Sequence, residues 1–287
     1  MNRLILEKIV RNALIEDIQH GDITSEAIFT DNFTVQGTFI AEVPGVIAGF
    51  PVVAEIYRQL DPAIQCACLI PDGNMVNPGA KIIQLTGPVK PVLAGERVAL
   101  NFIRRLSGIA SQTARMVLLT TGARAKIVDT RKTTPGLRML EKYAVRQGGG
   151  INHRFNLADA VLIKDNHIAA CGSITTAVKQ ARNYISHTMT IEVEVETEAQ
   201  VQEALTAGAD IILLDNMPPQ EMARMVKLIR SHPENRDVII EASGNIDESN
   251  VHEVAVTGVD VISSGAITHS AKALDITLQV EPIREEN

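Results

Sequence analysis

From Ala125 onward, short apolar runs alternate with segments of helical periodicity. Six such runs end in polar or charged residues. Ile127-Val128 leads into Asp129-Thr130-Arg131-Lys132, Val161 to Ile163 into Lys164-Asp165-Asn166, and Ile211 to Leu214 into Asp215-Asn216. The others are Ile191-Glu192-Val193-Glu194-Val195-Glu196, Val238 to Ile240 before Glu241-Ala242-Ser243-Gly244-Asn245, and Val261-Ile262 before Ser263-Ser264-Gly265. Helical segments near 198–207, 219–230 and 250–257 separate them, so the pattern predicts parallel βα units. Polar residues gathered at the carboxyl ends of parallel strands are where an α/β barrel builds its active site, here with about six strands. An open doubly wound sheet would write a similar string. Ahead of this repeat, 33–92 is rich in strand and turn signals, with Thr34 to Ala41 alternating and a helix expected from Pro51 to Leu60. Ala94 to Thr121 reads as largely helical, and small residues at Ser107, Gly108, Ala110 and Ser111 permit close packing. Met1 to Gln19 reads as an amphipathic helix rather than a signal peptide.

The 287 residues, 45% hydrophobic and 21% charged, have a globular composition. No apolar run reaches the roughly 18 residues of a membrane span, so no membrane partner is expected. Three cysteines are too few and too odd in number for a disulfide framework, which points to a reducing cytoplasm. The net charge of −7 argues against a nucleic-acid partner, but it is unevenly spread. Between Arg97 and Lys164 there are 13 Lys and Arg against 3 Asp and Glu, out of 27 and 34 in the whole chain. Such a basic island fits either a small, multiply charged anion or a solvated helix surface.

Candidate chemistry sits at the run ends. Arg131, Lys132 and Arg138 place three cations within eight residues, joining the planar fork of arginine to the point charge of lysine. Gly148-Gly149-Gly150 precedes Ile151-Asn152-His153-Arg154 and lets backbone approach a ligand closely. Lys164 could form a Schiff base, but Asp165 and Glu194 nearby would keep it charged, which favours anion binding. Glu194 and Asp215 end successive strands, where they would either place Mg²⁺ or form ion pairs with the basic cluster. Alternation sends Glu192, Glu194 and Glu196 to one interior face, with Arg131, Lys132 and Lys164 as the available partners. Ser243-Gly244-Asn245 and Ser264-Gly265-Ala266 are small-residue turns suited to a phosphate. Cys66-x-Cys68 lacks a second pair for zinc, and no nucleophile elbow supports a hydrolase.

Together these stretches carry a resemblance. Glu96-Arg97 with Ala99-Leu100-Asn101, Leu106 to Ala110, Asp129 to Arg138, Lys142 to Arg146 and Gly148 to Arg154 resemble quinolinate phosphoribosyltransferase, or nicotinate-nucleotide pyrophosphorylase (carboxylating). So do Leu162 to His167, Glu192 to Val195, Leu214 to Asn216, Ser243 to Asn245 and Gly265 to Ser270. Asn156 and Gln147 depart from the family pattern, which usually has Gly and often has Cys there; neither position is assigned to chemistry.

The resemblance implies an N-terminal α/β sandwich over 1–108 and the barrel over 109–271, with 272–287 returning to the first domain. It further implies that quinolinate and phosphoribosyl pyrophosphate are the substrates, that Mg²⁺ is the cofactor, and that the chain forms a homodimer or hexamer. By matching motif, Arg131, His153, Arg154 and Lys164 would bind the quinolinate carboxylates, and Thr130 and Arg138 would also bind substrate. Lys132 would serve both substrates, and Arg97 would enter from the partner subunit. Glu194 and Asp215 would sit by the ribose hydroxyls and hold Mg²⁺, directly or through water; with Lys132 they form the expected catalytic set. The turns Ser243-Gly244-Asn245 and Ser264-Gly265-Ala266 would hold the 5′-phosphate. Rival readings are a related pyrophosphorylase-like protein of molybdate transport, a Lys164 aldolase and a phosphate-ligand sensor. The Lys164 to His167 stretch favours the quinolinate enzyme.

Overall fold

Thr34–Ala41 buries Val35, Gly37, Phe39 and Ala41, every second residue, as a strand does with one face on a core, and Thr38 is buried on the other face. In the computed structural model, which describes residues 1–233 and 237–283, this strand pairs antiparallel with Lys81–Pro88 on one side and Ile276–Pro282 on the other. Gln65–Cys68 extends the sheet beyond Lys81–Pro88. Helix Phe50–Leu60 buries Val52, Val53, Ile56 and Tyr57, one face of a 3.6-residue period. Helix Arg3–Ile18 buries Leu6, Val10 and Leu14, and its first turn is capped by the Asn2 side chain, which accepts the Leu4 and Ile5 N–H groups. The small residues of the long helix Glu96–Leu119 bring backbone close. Ser107 Oγ accepts the Ala48 N–H at 3.0 Å, and Ser111 Oγ accepts that of Val46 at 2.8 Å.

These elements, the long helix only as far as Ala114, belong to the first of two units, which takes in 1–114, 134–149 and 271–283. The segments 109–114 and 134–149, expected with the barrel, group here: in the second of them Glu141 is fully buried, and its carboxylate accepts from Arg105 Nε at 2.8 Å and from the Thr134 N–H at 3.1 Å.

The second unit, 115–133 and 150–270, holds the parallel sheet. Its order is Lys126–Val128, Val261–Ser263, Ile239–Ser243, Ile211–Asp215, Ile191–Val195, Val161–Ile163. From Val161–Ile163 onward each strand pairs with the next in the chain, and the order never reverses, so the doubly wound alternative is excluded. Lys126–Val128 joins beside Val261–Ser263, as the first strand of a closing barrel would. Among the described residues it does not pair with Val161–Ile163, which leaves an incomplete six-stranded α/β barrel. Helices Glu198–Ala207 and Pro219–Ser231 bury Val201, Ala204 and Leu205, and Met222, Met225, Val226 and Ile229, the spacing of an apolar stripe laid on a sheet. The register sets Ser243 beside Asp215 and Leu213 beside both Glu194 and Glu241, so the polar strand ends lie level with one another.

Candidate active site

A cavity of about 460 Å³ opens at those strand ends, entirely within the second unit. Alternate residues at the ends of three strands face it: Leu162 and Lys164, Leu213 and Asp215, Glu241 and Ser243. The period of two in a strand thus supplies an apolar or acidic floor with a polar rim above it.

Four cations reach this cavity from three separate stretches. Arg131 and Lys132 follow strand Lys126–Val128, with Thr130 beside them. Their loop is held by its own polar groups. Thr130 Oγ1 accepts the Lys132 N–H at 3.0 Å, and the Thr268 hydroxyl donates to the Lys132 carbonyl at 2.8 Å. Arg154 follows an edge segment in which Ile151 makes a parallel bridge to Val128. Asp129, fully buried, fixes that segment by accepting from Asn152 Nδ2 at 2.6 Å and from the His153 N–H at 3.0 Å. The Arg154 guanidinium donates to the Ala160 carbonyl at 3.0 Å. Burial first, and then the Arg131 charge, hold Arg154 below the ordinary guanidinium range. Two arginines close enough to repel one another make a site that an anion relieves.

Lys164 begins helix Asp165–Cys171; His167 Nδ1 accepts the Lys164 N–H at 3.0 Å. Its Nζ reaches Glu194 Oε2 at 2.9 Å. An ion-paired ammonium is not the desolvated amine that a Schiff base requires, so the geometry favours anion binding.

Glu194 and Asp215 both line the cavity. Burial, followed by the Glu194 charge, raises the Asp215 carboxyl above its ordinary value. Two such carboxylates offer hard oxygen donors whose mutual repulsion a divalent cation would offset, so the pair fits Mg²⁺ chemically. Asn216, which sequence reasoning did not single out, donates from Nδ2 to Asp215 Oδ2 at 2.7 Å and accepts from Asn245 Nδ2 at 3.0 Å. Both asparagines are left-handed, at φ of 51° and 52°, a conformation that asparagine tolerates better than most residues. Gly244 between these strand ends has φ of 95°, and a Cβ there would collide with the Asn216 amide.

Below the rim, His153 Nε2 faces Glu192 Oε2 at 3.1 Å and Glu241 Oε2 at 3.6 Å. Burial first, and then the Glu192 charge, push Glu241 up to about 7. Glu192 therefore meets a histidine rather than one of the three expected cations. Glu194 takes Lys164 as expected. Glu196 is exposed, because the strand ends at Val195 before alternation can turn it inward.

Of the expected phosphate turns, Ser243, Gly244 and Asn245 line the cavity. Ser264 does not; its hydroxyl donates to the Ile246 carbonyl at 2.5 Å and its N–H to the Val128 carbonyl at 3.0 Å. Gly265 packs against the Lys132 side chain, and Ala266 starts the short helix Ala266–His269. Arg97 and Arg138 belong to the first unit. The cavity residues to which the sequence reading gave no role in the site are Leu162, Leu213, Asn216, Glu241 and Ser263, although Leu162 and Asn216 lie within matched motifs. Strand alternation from Lys164, Asp215 and Ser243 points to Leu162, Leu213 and Glu241.

A family model described as quinolinate phosphoribosyl transferase, C-terminal domain, matches residues 109–279, and its N-terminal counterpart matches 22–107. A probable nicotinate-nucleotide pyrophosphorylase (carboxylating) of Bacillus subtilis (strain 168) is 48% identical over 280 residues, covering 98% of this chain and 95% of that protein. The crystal structure of NadC from Streptococcus pyogenes superposes with a TM-score of 0.93 at 40% identity, covering 99% of each chain. The nicotinate-nucleotide pyrophosphorylase of Francisella tularensis does so with a TM-score of 0.92 at 40% identity, covering 98% of each. With both domain models matched and relatives alike along nearly its whole length, the chain belongs to the quinolinate phosphoribosyl transferase family.

Proposed function

We infer that this chain transfers the phosphoribosyl group of phosphoribosyl pyrophosphate to the ring nitrogen of quinolinate, with loss of the 2-carboxylate. The products are nicotinate mononucleotide, pyrophosphate and CO₂, a step of NAD biosynthesis. The observation that carries this reading is the arrival of Arg131, Lys132, Arg154 and Lys164 in one cavity beside Glu194 and Asp215. Quinolinate is a dianion and its co-substrate carries more negative charge still, so binding both without clustered cations would be very costly.

Each side chain then has work suited to its chemistry. Arg131, Arg154 and Lys164, with His153 beside them, bind the quinolinate carboxylates and aim the ring nitrogen at the anomeric carbon. Lys132 spans the two substrates and offsets charge on the departing pyrophosphate. As the N–C bond forms and the C–O bond to pyrophosphate breaks, positive charge develops on the ribose, and Glu194 and Asp215 stabilise it. The carboxylate at ring position 2 then leaves as CO₂; its electron pair is stabilised by the adjacent pyridinium and takes up a proton. Ser243, Gly244 and Asn245 hold the 5′-phosphate. Glu194 and Asp215 would hold Mg²⁺, directly or through water, and the ion would supply charge neutralisation for the pyrophosphate.

Arg97 completes the site from a second copy of the chain, which makes the working form a homodimer or an assembly of dimers. The odd number of cysteines, three, supports a reducing compartment, the cytoplasm. No helix among the described residues is long and apolar enough to cross a membrane. The test is product identification: mass spectrometry of a reaction with quinolinate, phosphoribosyl pyrophosphate and Mg²⁺ should show nicotinate mononucleotide only when both substrates are present. Its absence from the complete mixture overturns the reading.

A further inference from the structure

We propose that Glu192 and Glu241 are positioning residues, which fix the His153 ring and through it set Arg154 for the substrate carboxylate. The proposal rests on the anion-binding role inferred above for Arg154.

The geometry is that of a three-part clamp. The two side chains come from strands Ile191–Val195 and Ile239–Ser243, which are separated by a third strand, and are only 3% and 4% exposed. Each turns its Oε2 toward the same imidazole nitrogen, His153 Nε2, at 3.1 and 3.6 Å. On the other side of the ring, Nδ1 accepts the Arg154 backbone N–H at 2.8 Å. A nitrogen that accepts has no proton of its own, so this hydrogen-bond pattern puts the ring proton on Nε2, directed at the carboxylates. Both faces of the tautomer are thus in use: one holds the floor of the barrel, the other the backbone from which Arg154 projects. His153 itself lines the cavity beside Arg154.

The same three residues have the composition of a metal site, with ligand atoms within 4.8 Å of one another. The tautomer argues against that use, because a protonated Nε2 has no lone pair to give. Binding a metal there would move the proton to Nδ1 and break the bond to Arg154. The clamp is also costly to build. Glu192 Oε1 is buried and has no hydrogen-bond partner among the described residues, a feature that stability alone would select against. Positioning a substrate-binding arginine gives that cost a function.

The test uses the full-length enzyme and first requires that wild type form nicotinate mononucleotide; failure there removes the functional reading itself. With wild type active, Glu192→Ala and Glu241→Ala should each raise the quinolinate KM at least tenfold. The KM for phosphoribosyl pyrophosphate should stay within twofold and kcat within threefold, the signature of lost uniform binding to one substrate. Glu192→Gln keeps an acceptor for the Nε2 proton and should recover the quinolinate KM to within threefold. Unchanged quinolinate KM in both alanine variants, or equal losses toward both substrates, overturns the proposal. Should the alanine variants fail to fold, nitrogen-15 NMR of the wild-type imidazoles still decides it. A His153 ring protonated at Nε2 supports the clamp, whereas one protonated at Nδ1 contradicts it.

Discussion

Arg131, in the loop after strand Lys126–Val128, lies close enough to Arg154 to weaken that guanidinium's hold on its proton, and the two repel until an anion arrives. Arg131→Ala should therefore cost about 100-fold or more in kcat/KM for quinolinate while the melting temperature stays within a few degrees of wild type. Steady-state kinetics with a parallel thermal melt checks this, and near-normal kcat/KM removes Arg131 from the site. Glu241 gives a stability prediction with a definite sign. Its carboxyl rises from an ordinary 4.5 to about 7, through burial and then Glu192, so the folded protein keeps a proton that the unfolded chain releases. Its contribution is fully present below about pH 4.5 and is lost as pH rises to about 7, by up to about 3 kcal/mol. Glu241→Gln does not titrate, so its stability relative to wild type should improve across that window, as urea unfolding at several pH values would show. A constant difference would mean that Glu241 is not the titrating group. At this scale the inward direction of Glu192 and Glu194 was legible, because alternation in a strand is a strict period. Their partners were only half legible. Lys164 was among the cations expected opposite them, whereas the pairing of Glu192 with His153 depends on a loop folding back along Asp129, which no local pattern records.

The strand ends carry the site because the loops that follow them are tied down by short polar links. Asp215, Asn216 and Asn245 form one such chain, and Gly244 makes room for it. Gly244→Ala would place a Cβ on the Asn216 amide in a backbone conformation that alanine rarely adopts. It should cost about 1–3 kcal/mol of stability and lower activity even where the variant remains folded. Chemical denaturation and turnover on the same sample test this, and wild-type values for both would show that the link is dispensable. The parallel βα repeat itself was legible, since six apolar runs with polar ends have few other folds. Element boundaries were not: Glu196 lies one residue past its strand and faces solvent. The two Ser-Gly turns looked alike in sequence, yet Ser243 lines the cavity and Ser264 spends its hydroxyl on a carbonyl. A dipeptide does not reveal whether its donors are already taken.

Across the whole chain, a basic island of 13 Lys and Arg lies within an otherwise acidic protein, and four of these cations line one cavity. Charge counting showed that the island existed, but it could not separate ligand-binding bases from structural ones. Arg105 holds Glu141 and Arg115 holds Glu248, while Arg131 and Arg154 line the cavity. Nor did the pattern show that 134–149 groups with the N-terminal elements, because burial of Glu141 against Arg105 is a long-range event. The most direct measurement follows pyrophosphate and CO₂ in a single reaction, from carboxyl-labelled quinolinate, phosphoribosyl pyrophosphate and Mg²⁺. Equimolar release of both, dependent on both substrates and lost together in Arg131→Ala, is the expected result. Pyrophosphate without CO₂, or CO₂ without the second substrate, would contradict a single phosphoribosyl transfer coupled to decarboxylation in this cavity.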